Sequence, residues 1–395
     1  MEATGVYWLT LYDKLEAAGI EVYLVDPHGV KAVPGRKSDW LDCQWLQKLH
    51  TYGLLSRAFR PDSPIRRLRT LTRQRAELVL CGAAHQQHIQ KALIAMNLHL
   101  HLVISDVVGE TGLRVLEAIL QGRRDPKQLV ALRDPRCHKS ATAEMEAGLT
   151  GTYDDENLLV LEQSLDAWKF YQQQMAQRDQ RIEKILAQLP TAKPVAVQSP
   201  PKPVETAKPA KRSRPKRAQH GPNALTMDFT AALARVCGVD LQKVCGLNLL
   251  SVLMLIGEIG TDMSRWRNAQ AFCSWLGLCP GAKISGGKVL SRRTRKVNNR
   301  AATILRLAAW AAGKTDTWLG RFYRRIKARR GAPKAITATA RKLACIIYHM
   351  LKYGEEFVLL DATKYEAQAQ ANRVLRLRKE AKMLGLELVE LKNVA

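Results

Sequence analysis

Hydrophobic and polar positions alternate in more than one rhythm along this chain. Thr10–Ala18 repeats its apolar residues at helical spacing and stops at Gly19. Ile20–Val25 (IEVYLV) is a short run of branched residues ending at Asp26-Pro27, which predicts a buried strand and its exit turn. After Pro34-Gly35, Ser38 is placed to cap a helix running through Leu49, with Gly53 beyond it. Residues 1–62 therefore read as an α/β segment with one or two strands, too few to cover a sheet.

From residue 63 to 190 the pattern turns helical. Pro64 to about Leu98 and Glu156–Leu189 both repeat apolar residues three and four apart, among them Leu68, Leu71, Leu78, Ile89 and Leu93 in the first and Leu161, Leu165, Trp168, Met175 and Ile182 in the second. The two stretches can pair as an antiparallel coiled coil, serve a homo-oligomer, or belong to an ordinary bundle. Shorter helices are expected between Leu98 and Asp134. Residues 191–223 are rich in Pro, Lys and Ala and nearly devoid of large apolar residues, which predicts a disordered linker. Residues 224–360 form a mostly helical C-terminal domain. Residues 361–395 read as a charged helical tail.

Charge changes the picture. The chain has 395 residues and a formal net charge of +26. From Arg267 to Gly354 there are twenty Lys or Arg and one acid, Asp316. Such a surface points to a phosphate backbone, because cationic side chains displace its counterions. The eight cysteines contain no CxxC pair, which argues against a zinc site, and most read as small buried apolar residues. The longest apolar run, Leu247–Ile259, includes Asn248, Ser251, Gly257 and Glu258 and is too short to span a bilayer. With no visible signal peptide, the expected location is a bacterial cytoplasm in association with the nucleoid.

Three constellations carry candidate chemistry. Asp39 and Asp42 lie one helical turn apart, and Glu2 opens the chain. Carboxylates in such sets can hold Mg²⁺ beside a phosphodiester, or can simply complement a helix dipole. Ser285 precedes Gly286-Gly287 and is surrounded by Lys283, Lys288, Arg292, Arg293, Arg295 and Lys296, with Arg300 beyond. A serine there can attack phosphorus while cations stabilise the developing charge, or the segment can be a flexible turn that only grips phosphate. Asn298-Asn299 are candidates for reading backbone or bases. Val244–Asn248, a Gly turn opening an apolar helix, can present amides to a DNA phosphate or be a plain helix–helix turn.

Five blocks in order, EATGVYW (2–8), GIEVYLVDPHGVKAVPGRKSDWLDCQWLQKL (19–49), GLNLLSVLMLIGEIGTDMSRW (246–266), WLGLCPGAKISGGK (275–288) and NNRAATILRLAA (298–309), resemble the insertion sequence 110 family of DEDD transposases. The resemblance implies an incomplete RuvC-like (RNase H-like) α/β domain, a helical coiled-coil middle and a C-terminal serine domain. It implies Glu2, Asp39 and Asp42 as Mg²⁺-binding catalytic acids and Ser285 as the residue joined covalently to DNA. It further implies DNA ends and target as substrates, a structured guide RNA, and a homo-oligomer built as a dimer of dimers with no membrane role. The family's first acid belongs on a strand before Glu2, where only Met1 stands, so the expectation is a chain lacking its leading strands and impaired in catalysis. Two alternatives accompany this reading: an inactive nucleic-acid-binding remnant, and a RuvC-type nuclease that uses the acids alone.

Overall fold

In the computed structural model, residues 28–38, 56, 136–140, 193–220, 222, 282, 292, 296 and 388–395, and the side chains of 39, 283, 355–366, 369 and 379, lie outside the described residues. The predicted linker therefore falls almost wholly outside them. The chain divides into two compact units, Met1–Asp62 and Ser63–Ala395.

In the first unit, α1 (Trp8–Ala17) ends where Gly19 adopts a left-handed φ of +77°. The branched run 20–25 is extended, but it pairs only through single bridges, parallel from Val25 to Glu2 and antiparallel from Val25 to Arg57. The expected strand is thus one extended segment between two short neighbours. Ala3 N and Ala58 N donate to the carbonyls of Val25 (2.9 Å) and Leu24 (2.7 Å). Tyr12, Val22 and Leu24 bury together against Trp8, Leu15 and Ala58. Arg60 covers the Tyr12 ring at 3.7 Å and pairs with Asp13 and Glu16. The second helix, α2 (Asp39–Thr51), begins at the expected acids.

The second unit is helical apart from one hairpin. Two long helices, α3 (Ser63–Ala95) and α8 (Asp155–Gln188), pack side by side. They run antiparallel: Arg75 meets Asp179, Gly82 meets Tyr171, and His85 stacks on Tyr171. The two stretches thus pair with each other within the chain. At one end the apolar stripes merge with α4 (Leu100–Val103), α5 (Glu110–Leu120), α6 (Pro126–Ala131) and α7 (Thr142–Gly148) in a core containing Ile89, Leu93, Leu116, Ile119, Leu161 and Trp168.

The other end holds the C-terminal helices α9 (Thr230–Cys237), α10 (Leu249–Ile259), α11 (Ala269–Trp275), α12 (Arg300–Ala312), α13 (Trp318–Arg330) and α14 (Ala332–Tyr353). Local sequence starts these helices: Asn248, Asn268, Asn299 and Thr317 each accept a backbone N–H at the N-cap of α10, α11, α12 and α13. Phe272, Trp266 and Tyr348 pack at the centre, and the buried Tyr348 hydroxyl donates to Trp266 O at 3.0 Å. The tail is α15 (Glu355–Met383).

Arginines lock this module to the helix pair. Arg73 forms a bidentate pair with buried Glu258 (2.7 and 2.8 Å), and Arg69 donates to the carbonyls of Gly257 and Glu258 at the end of α10. Arg75 and Asp179, whose side chains are 3% and 0% exposed, pair at 2.7 Å. Asp179 also accepts from Thr226 N and Thr226 Oγ1 (2.9 and 3.0 Å), and Arg75 donates to Ala224 O at 2.7 Å. Arg235 donates to the carbonyls of Leu186 and Leu189 (2.6 and 2.7 Å). The chain is therefore pinned at Leu189–Ala192 before residues 193–220 and at Asn223–Thr226 after them.

Candidate functional site

Ser285 ends β1 (Lys283–Ser285), which pairs antiparallel with β2 (Lys288–Ser291). The two-residue connection is Gly286-Gly287, with φ of +53° and +72°. Two successive positive φ values define a type I′ turn, whose twist suits a hairpin and which side chains resist. No atom lies within 4 Å of a Cβ built on either glycine, so backbone conformation alone selects glycine here. The serine occupies a defined register, directly across from Lys288.

The hairpin base is fixed and its tip is not covered. Pro280 and Thr294 form a bridge, Gly281 N donates to Arg293 O at 2.9 Å, and Gly277 lies so close to Val297 that a Cβ would come within 2.2 Å. Beyond that base Ile284 and Leu290 are 62% and 69% exposed. Ser285 is exposed, and among the described residues its hydroxyl makes no side-chain hydrogen bond.

The predicted phosphate contacts divide. Lys288 and Arg293 are exposed, with no carboxylate partner among the described residues. Arg295 is exposed but donates to Ser274 O at 2.8 Å. Arg300 meets Glu77 at 3.4 Å, an exposed pair that a polyanion can displace cheaply. Arg292, Lys296 and the Lys283 side chain lie outside the described residues. Two other candidates have structural duties: Asn299 caps α12, and Asn248 caps α10 by accepting from Ser251 N at 2.8 Å. Gly246, at φ +93°, approaches Ala308 O so closely that a Cβ would meet it at 2.3 Å. The Val244–Asn248 turn is thus a helix–helix packing turn.

A groove that sequence reasoning missed runs beside the hairpin. It is an open cleft of about 1200 Å³ between β2 and one face of α13 and α14. Arg293, Arg330, Lys334, Arg341 and Lys342 line it together with Leu290 and Phe322, and among the described residues no Asp or Glu does. The signal was present: Lys334, Arg341 and Lys342 recur at helical spacing on the face opposite buried Ala340, Leu343 and Ile347.

The acids are placed less completely. Glu2 is half-buried at its bridge to Val25 and its Oε1 accepts from Thr4 Oγ1 at 3.0 Å. Asp42 is half-buried on α2, three residues from Asp39, whose side chain lies outside the described residues. Carboxylate oxygens suit a hard cation such as Mg²⁺. Among the described residues, however, no three His, Cys, Asp or Glu side chains are gathered to hold a metal. Among the described cysteines Cys237 and Cys273 are buried, whereas Cys43 and Cys81 are exposed and Cys245, Cys279 and Cys345 are half-buried, contrary to the expectation that most are buried. Among the described residues no helix is long and apolar enough to cross a membrane.

Residues 1–97, which contain Glu2, Asp39 and Asp42, match a family model described as a transposase. Residues 240–324, which contain the hairpin and Ser285, match the model of the transposase IS116/IS110/IS902 family. No curated protein matches the chain significantly.

Proposed function

Since the chain belongs to the IS110 family of transposases, with DNA as its partner, we propose that it cuts and rejoins DNA through a covalent phosphoserine at Ser285. The observation that carries this reading is the exposed hydroxyl at a glycine-defined hairpin tip, inside the family-matched segment and opposite Lys288.

The Ser285 oxygen loses its proton and attacks a DNA phosphorus. A phosphorus–oxygen bond to sugar breaks, and the departing sugar oxygen takes up a proton. Attack on the phosphoserine by another strand's sugar hydroxyl reverses these steps and releases the serine. Lys288 and Arg293 neutralise charge on the non-bridging oxygens. Glu2, Asp39 and Asp42 would hold Mg²⁺, which when bound supplies further neutralisation at the phosphate. A RuvC-like character for the first unit, a structured guide RNA and a dimer of dimers complete the proposal; their support is the family resemblance and, for the nucleic acids, the charge of +26.

Denaturing gels of the full chain with labelled DNA ends test it. Wild type forms a covalent adduct, Ser285→Ala forms none, and Ser285→Cys retains a fraction. Recombination undiminished in Ser285→Ala would overturn the proposal.

A further inference from the structure

The cleft beside the hairpin combines two features that ordinary basic surfaces lack. Four of its cations, Arg293, Arg330, Lys334 and Arg341, have no carboxylate partner among the described residues. Much of its remaining surface is apolar: Leu278, Pro280, Leu290, Phe322 and Pro333 line the same cavity, beside the hydroxyls of Ser291, Thr294 and Thr337. Duplex DNA presents phosphates outward and hides its bases, so it satisfies the first feature and leaves the second exposed. An unpaired strand satisfies both, since its phosphates reach cations while its bases lie against aromatic and apolar groups.

The geometry supports a linear ligand. Lys334 and Arg341 stand seven residues apart on one face of α14, two turns or about 10 Å along its axis. Arg330 ends α13 on the other side of Gly331, and Arg293 faces them from the hairpin base. The β2 wall, through Leu290 and Ser291, leads toward the tip where Lys288 pairs with Ser285.

We propose that this cleft binds a single-stranded stretch of nucleic acid leading to the phosphate at Ser285, with its phosphates on Arg293, Arg330, Lys334 and Arg341 and a base against Phe322. The proposal rests on the reading of Ser285 as nucleophile for its placement along the reaction, but the binding itself does not require that chemistry. The occupant is single-stranded DNA, because the strand runs to the DNA phosphate that Ser285 attacks; single-stranded RNA shares the recognising chemistry and is separated by the test.

The test uses the full-length Ser285→Ala protein, so that no covalent step contributes, and measures fluorescence anisotropy with 15-nucleotide single-stranded DNA, the same sequence as RNA, and a DNA duplex across a salt series. Lys334→Ala and Arg341→Ala should each lower the slope of log affinity against log salt by about 0.7 for the single strand. Phe322→Leu should weaken single-strand binding about tenfold and leave duplex binding unchanged. A loss that includes the single-stranded DNA supports the proposal, and a loss confined to the RNA oligonucleotide would overturn it. Unchanged single-strand slopes, or equal losses on duplex and single strand, would overturn it. Adduct formation by wild type and by Ser285→Ala reports separately on the nucleophile: an adduct that persists in Ser285→Ala defeats that reading, whereas the binding result stands or falls by itself.

Discussion

Replacing Asp179 with alanine probes the tie that joins the helix pair to the C-terminal module. The substitution strands the Arg75 guanidinium, 3% exposed, and removes the acceptor for Thr226 N and Thr226 Oγ1. Breaking a buried ion pair from one side costs about 3–5 kcal/mol. The carbonyl of Ala224, 2.7 Å from the guanidinium, still accepts from it and places the expected loss near the lower end, about 3 kcal/mol. Asp179→Asn keeps the shape but sets an amide beside a cation, so it should fall almost as far. Arg75→Met with Asp179→Leu removes both charges and should recover most of the loss, leaving the Thr226 donors and the Ala224 carbonyl unmatched. Urea unfolding followed by tryptophan fluorescence measures all three variants, with a double-mutant cycle isolating the coupling. An Asp179→Ala loss below about 1 kcal/mol, or a double variant weaker than the single, would refute the view that this pair is buried and mutually dependent.

Gly287→Val should cut adduct yield at least tenfold with no change in melting temperature, because φ +72° excludes a branched residue and the hairpin tip lies outside the core; Gly287→Asn should retain activity, and an active valine variant would count against the turn. Burial pushes the Cys237 thiol up to about 12, and the Cys345 hydrogen bond together with burial raises Cys273, so at pH 8 Cys43 and Cys81 should react with a thiol reagent long before them, as peptide mass mapping reads. Raising the pH toward 12 should bring Cys237 into reaction, because the thiolate is the reactive form. Protease cleavage within 193–220 should leave the flanking pieces associated on gel filtration, since each flank is held by its own hydrogen bonds; separation would show that the covalent connection is needed.

Long elements were legible because periodicity accumulates over many turns. The predicted stretches at 64–98 and 156–189 appear as helices Ser63–Ala95 and Asp155–Gln188, and Gly19 ends the first helix as expected. Their mutual pairing was open in the sequence, since the same stripe serves a bundle, a coiled coil or a partner; the contact of Arg75 with Asp179 depends on tertiary placement. The hairpin was missed although Gly286-Gly287 between KIS and KVLS is a two-residue turn signal. The glycines and neighbouring cations drew attention to phosphate chemistry, and strands of three and four residues give a weak alternation. Asn299 and Asn248 looked available for nucleic acid because a cap residue and a base-reading residue are chemically identical in sequence. Asp39 and Asp42 were found by spacing on one helix, whereas their relation to Glu2 depends on tertiary placement that spacing does not encode.

The net charge is also two properties rather than one. Arg69, Arg73, Arg75, Arg235, Arg295 and Arg324 spend their guanidinium groups on backbone carbonyls or buried carboxylates, and so act as architecture. Lys288, Arg293, Arg330, Lys334 and Arg341 have no carboxylate partner among the described residues, and these stand on or beside the hairpin. A planar guanidinium with several fixed donors suits the first task, and exposure on a helix face or strand suits the second. The hairpin also carries Ile284 and Leu290, which the chain's own core does not cover. A phosphate backbone laid along this region answers the charge, and bases laid against its apolar surface answer the exposure. One ligand thus resolves two separate costs that the isolated chain carries at the same place, and the serine lies at the end of that surface.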